Sequence, residues 1–191
     1  MSLIQEILEY NHHFVENKKY EEYRTINYPT KKVSIVTCMD PRLLELLPKA
    51  MNLKNGDAVL IKTAGGEISK ELDSVVRSLL ISIYELHVEE IIIVGHHNCG
   101  AQHLNAEVFM KRITEQCGVQ LYSERMRKEL FSGFGDLEES VKRSVNLVRH
   151  HPFIPKNIPV HGLIIDPETG EIELIEMDKQ KFLSNEAVTN I

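Results

Sequence analysis

The sequence predicts an α/β fold: a central, mostly parallel sheet flanked by helices, with a C-terminal antiparallel hairpin and an N-terminal helical arm. Three observations carry this prediction. Two β-branched apolar runs, VSIVT at 33–37 and IIIVG at 91–95, each lead directly into chemically reactive residues. Between them lies a long apolar stripe of helical period. Near the end, two alternating segments flank Pro167-Glu168-Thr169-Gly170, a turn between strands.

Taken in order, residues 2–24 are polar with a sparse stripe of Leu3, Ile4, Ile7, Leu8 and Phe14, the spacing of a helix lying on another surface. This is the arm, residues 1–24. After the polar stretch 27–32, the run VSIVT forms a strand that ends at Cys38, and Pro41 disfavours continued regular structure beyond it. The segment 57–62 (DAVLIK) is a second strand, and the turn Ala64-Gly65-Gly66 follows. A helix is expected at once, because Ile68, Leu72, Val75, Val76, Leu79, Leu80, Ile83 and Leu86 keep a 3.6-residue period. Residues 91–95 then form a continuous apolar strand of the kind found in parallel sheets covered on both faces. It runs into His96-His97-Asn98-Cys99-Gly100. Residues 101–149 read as helical with breaks at Gly118 and at 132–135, and with a helix from Leu137 to about Arg149. VHGLIID and EIELIEM complete the hairpin.

The length of 191 residues suits one domain, with residues 32–176 as its core. A formal charge of -6 offers no broad basic face, which makes nucleic acid an unexpected partner. The N-terminal segment lacks the pattern of a secretory signal, and no apolar run approaches the roughly 20 residues of a spanning helix. The expectation is a soluble, cytoplasmic protein with no membrane partner. Three cysteines, an odd number, make a poor disulfide framework.

Cys38 ends one strand, and His96-x-x-Cys99 follows another. Two thiolates and an imidazole suit zinc, and three protein ligands leave a fourth position open, as in catalytic sites. Cys117 has no partner motif, and an incidental or structural role is expected. His97 and His103 are the histidines close enough in sequence to suggest proton shuttling.

Cys38-Met39-Asp40-Pro41-Arg42 and Gly95-His96-His97-Asn98-Cys99-Gly100 resemble the two zinc-site motifs of the β-carbonic anhydrases. The resemblance covers residues 33–100 and extends to the hairpin near 162–173; the middle, 101–150, matches loosely. It implies one Zn2+ per chain on Cys38, His96 and Cys99, with Asp40 and Arg42 as the catalytic pair. It also implies reversible hydration of carbon dioxide to bicarbonate and a proton by zinc-bound hydroxide. The chain's shortness looks closer to the compact prokaryotic branch. Lys62-Thr63-Ala64-Gly65 stands where the family commonly carries Arg-Asn-Ala-Gly, so a forked donor is replaced by a point charge.

Asp40 is suited to accept the hydrogen bond of the attacking hydroxide and orient it, and Arg42 to keep Asp40 ionised. Two other readings share these residues: hydrolysis of carbon disulfide or carbonyl sulfide, which relatives of the fold perform, and non-catalytic zinc or bicarbonate binding, suggested by the altered Lys62-Thr63 segment. The amphipathic arm and the family's habit of pairing through such arms imply a homodimer or a higher even oligomer.

Overall fold

The computed structural model of the protein describes residues 1–68, 73–118, 123 and 133–178. Five strands form one sheet: β1 (Val33–Cys38), β2 (Ala58–Thr63), β3 (Glu90–His96), β4 (Val160–Ile165) and β5 (Ile172–Glu176). Their order is β2-β1-β3-β4-β5, and every pairing is parallel except the antiparallel β4–β5 hairpin. This is the expected architecture. Among the described residues the α-helices are α1 (Leu3–Glu16), α2 (Leu43–Ala50), α3 (Ser74–Tyr84), α4 (Ala106–Cys117) and α5 (Leu137–His150).

β1 is buried along its whole length, because it has a neighbour on each side and a packed layer on each face. One layer joins Val36, Val76, Leu79, Ile93 and Val145; the other joins Ile35, Leu43, Leu47, Phe134 and Ile165. Burying a side chain of this size contributes about 1.5–3 kcal/mol, so these layers dominate the fold's stability. The buried hydroxyls of β1 are satisfied within the sheet and its helices: Ser34 and Ser82 share a hydrogen bond of 2.7 Å, and Thr37 Oγ1 donates to the Val94 carbonyl at 3.0 Å.

α3 departs from expectation. It begins at Ser74, where the Asp73 side chain accepts from the backbone N–H groups of Val75 and Val76. Ile68 is 2% exposed and packs into the core, yet it precedes the helix. Residues 64–66 form a 3-10 turn first, and Leu72 lies outside the described residues. The helix ends at Tyr84, so Leu86 follows it. Ile68 therefore fits the spacing of Val75 and Val76 without belonging to their helix, which starts only after the Asp73 cap.

α2 was not expected at all. It has two turns with Pro48 inside, and the sequence reading assigns no element to these residues. Leu43 and Leu47, four residues apart and fully buried, hold it against β1 and β4 residues. α4 and α5 agree with the reading: Asn105 and Asp136 cap their starts, and Gly118 at φ +66° ends α4. The arm is helical over Leu3–Glu16, and none of its residues is buried within this chain.

Candidate functional site

The chain leaves β1 toward β2 on one side of the sheet and leaves β3 toward β4 on the other. Connections that diverge in this way open a crevice at the carboxyl ends of the two strands. Cys38 is the last residue of β1 and His96 the last of β3. From His96 the chain turns through Asn98, whose left-handed φ of 54° returns the backbone so that Cys99 faces Cys38.

Cys38, His96 and Cys99 are all buried, and their ligand atoms lie within 4.8 Å of one another. Among the described residues they are the group of three able to hold a metal ion. The two sulfurs are 3.8 Å apart. That is also the spacing of two thiolates on a tetrahedral zinc, about 3.8 Å for Zn–S bonds of about 2.3 Å. His96 Nδ1 lies 2.8 Å from the His97 carbonyl, so it carries the proton and donates there. Nε2 is then the lone-pair nitrogen, buried and without a hydrogen-bond partner. An orphaned imidazole nitrogen beside two thiols fits a thiophilic cation.

Electrostatics at the centre point the same way. Burial pushes the Cys38 thiol up, but His96 and the backbone N–H groups of Asp40 and Gly65 outweigh it and bring Cys38 below its ordinary value. Burial pushes Cys99 up, and the neighbouring Cys38 charge adds to this against N–H groups of Ala101 and Gln102. For His96, burial pulls downward, while the neighbouring Cys38 sulfur and the His97 carbonyl prevail and raise it. The protein alone thus favours one thiolate, and ionising the second calls for a cation.

Asp40 and Arg42 stand beside this centre. Arg42 grips the Asp40 carboxylate through Nε on Oδ1 at 3.0 Å and Nη2 on Oδ2 at 2.8 Å, and its backbone N–H adds a third bond at 2.9 Å. Nη2 also donates to the Asn98 carbonyl at 3.1 Å, tying the two loops together. Asp40 Oδ2 is 3.9 Å from His96 Nε2. The Arg42 guanidinium holds the Asp40 carboxyl down at about 2, against some opposition from burial.

Behind Cys38 sits Gly66 at φ +67°, where a Cβ would meet the Cys38 backbone nitrogen at 2.9 Å. His97 and His103 are both solvent-exposed in the loop after β3, and Cys117 is exposed at the end of α4, outside the metal group. Sequence reasoning gathered all five central residues. It also read the Gly65-Gly66 turn as a place of positive φ and close backbone approach, which Gly66 shows against Cys38, but it missed the Asn98 carbonyl, for which the left-handed turn residue was the available signal.

A mostly parallel α/β sheet carries two thiols and an imidazole at its carboxyl end, a group able to hold a thiophilic metal. Comparison with known proteins gives the family. The family model for carbonic anhydrase matches residues 33–172, well over half of the chain. The YvdA protein of Bacillus subtilis (strain 168) is 49% identical over 181 residues, covering 92% of each chain. The crystal structure of β-carbonic anhydrase isoform I from Trichomonas vaginalis superposes with a TM-score of 0.86 at 38% identity, covering 93% of this chain and 99% of that one. A carbon disulfide hydrolase of Acidithiobacillus thiooxidans is 27% identical over 175 residues, 83% of this chain and 85% of its own. The chain belongs to the β-carbonic anhydrase family, and with it to the carbonic anhydrase lyases.

Proposed function

We propose that this chain hydrates carbon dioxide reversibly to bicarbonate and a proton at one zinc ion held by Cys38, His96 and Cys99, with Asp40 and Arg42 as the catalytic pair. The observation that carries the reading is the orphaned, buried Nε2 of His96 beside two sulfurs 3.8 Å apart and an arginine-clamped carboxylate. Zinc at this centre supplies a Lewis acid that brings the pKa of a water toward neutrality. Asp40, ionised across the physiological range, accepts the hydrogen bond of the attacking hydroxyl and turns its free lone pair toward carbon. Arg42 occupies both Asp40 oxygens, which favours water over Asp40 in the fourth ligand position. One proton per turnover leaves for solvent.

The experiment is stopped-flow hydration of carbon dioxide with and without a zinc chelator. A zinc-dependent rate well above buffer is expected; no such rate removes the reading and favours the non-catalytic alternative. The likeness to a carbon disulfide hydrolase motivates a second assay on the same preparation. Hydrogen sulfide released from carbon disulfide faster than carbon dioxide is hydrated would transfer the assignment to that substrate.

We further propose a homodimer in the cytoplasm. Leu3, Ile4, Ile7 and Leu8 on α1 are 51–71% exposed in the single chain, an apolar stripe suited to a second copy. Among the described residues no helix is long and apolar enough to cross a membrane.

A further inference from the structure

Thr63 ends β2 as Cys38 ends β1 and His96 ends β3, so the three stand in a row along the crevice side of neighbouring strands. Thr63 is the parallel register partner of Cys38, which puts both side chains on the same face of the sheet, about 4.8 Å apart at the backbone. Its carbonyl is occupied, accepting from Met39 N–H at 2.8 Å. Its hydroxyl is not: Oγ1 is shut from solvent and has no hydrogen-bond partner among the described residues.

Buried hydroxyls are nearly always satisfied, and each exception calls for a reason. Among the described residues three side-chain atoms are in this condition, and two have a reason. His96 Nε2 faces the metal position, and Arg149 Nε lies 3.3 Å from Asp178 Oδ2. Cys38, its register neighbour on the next strand, has its sulfur 3.8 Å from Cys99 Sγ and near the backbone N–H groups of Asp40 and Gly65. Among the described residues nothing supplies the Thr63 hydroxyl with a partner, and a ligand entering beside Cys38 would do so.

We propose that Thr63 Oγ1 hydrogen-bonds an oxygen of bicarbonate at the centre, making Thr63 a substrate-binding residue. The proposal rests on the Cys38–His96–Cys99 centre described under the proposed function. A hydroxyl that donates once and accepts twice can serve bicarbonate either as donor to a carboxylate-like oxygen or as acceptor from its O–H.

The test uses the full chain loaded with Co2+, whose visible absorption reports ligands entering the centre, and titrates it with bicarbonate. Thr63→Val keeps the shape and removes the hydroxyl; it should retain cobalt and thermal midpoint while weakening bicarbonate about tenfold or more, the loss of one hydrogen bond to a charged ligand. Thr63→Ser restores the hydroxyl and should bind within about twofold of wild type. In the zinc enzyme, Thr63→Val should raise KM for bicarbonate with kcat largely kept. Unchanged bicarbonate affinity in Thr63→Val overturns the proposal, as does Thr63→Ser binding as weakly as Thr63→Val. Loss of cobalt or of the folded state in Thr63→Val also overturns it, assigning the hydroxyl to structure. Wild-type zinc protein that binds bicarbonate through Thr63 yet fails to hydrate carbon dioxide would refute the proposed function and leave this inference standing.

Discussion

At the scale of single residues, Asp40 is held ionised by a bidentate guanidinium 2.8–3.0 Å away. Asp40→Asn fills the same space but presents an amide donor where an acceptor is needed. It should keep about one zinc per chain and lose roughly 100-fold or more of the hydration rate, read by metal analysis and stopped flow. Full turnover with full zinc would demote Asp40 to a turn residue. Arg42→Ala should also slow hydration and move the active limb of the profile to higher pH, because a released carboxylate competes for the fourth ligand position. The same pair sets an acid dependence of stability. The folded carboxyl sits at about 2, below its ordinary 3.8, so its contribution is complete above about 4 and is lost as pH falls toward 2. Arg42→Ala removes that contribution, and its acid unfolding should begin at higher pH than that of wild type, measured by circular dichroism.

At the scale of elements, the strand ends and the connection from β2 to α3 position the chemistry. Gly66 is the tightest point of that connection: its missing Cβ leaves room for Cys38 N at 2.9 Å, Thr37 C at 3.1 Å and Val94 O at 3.2 Å. All three are backbone atoms of buried strands and cannot move aside cheaply. Gly66→Ala combines this clash with a left-handed φ and should cost about 1–3 kcal/mol and lower zinc retention. Urea unfolding with an unchanged midpoint would contradict this. The same region marks where the sequence was hard to read. The β1 and β3 runs were legible because unbroken β-branched residues have few other uses, and their ends delivered Cys38 and His96 together. The start of α3 was not, because Ile68 fits the helical spacing of Val75 and Val76 while lying outside the helix, which the Asp73 cap starts at Ser74. α2 was hidden by Pro48, and only the tertiary burial of Leu43 and Leu47 explains it. Thr63 stood out in the sequence only as part of the altered Lys62-Thr63 segment, since a role for its hydroxyl lies in strand register with Cys38 and in the lack of a partner among the described residues.

At the scale of the whole molecule, the sheet and its two packed layers hold the crevice, and α1 remains outside them with its apolar stripe exposed. Light scattering at micromolar concentration should return at least a dimer mass, and deletion of residues 1–24 should lower it; a monomer mass for the full chain would contradict the proposed pairing. The account as a whole turns on what occupies the space between Cys38, His96 and Cys99. Zinc K-edge absorption on the purified protein measures that directly. The expected result is one zinc per chain with two sulfurs at about 2.3 Å, one imidazole nitrogen at about 2.0 Å and one further light ligand, with a sulfur lost in Cys99→Ser and none lost in Cys117→Ser. A zinc site without a sulfur shell, or one unaffected by Cys99→Ser, would contradict the account.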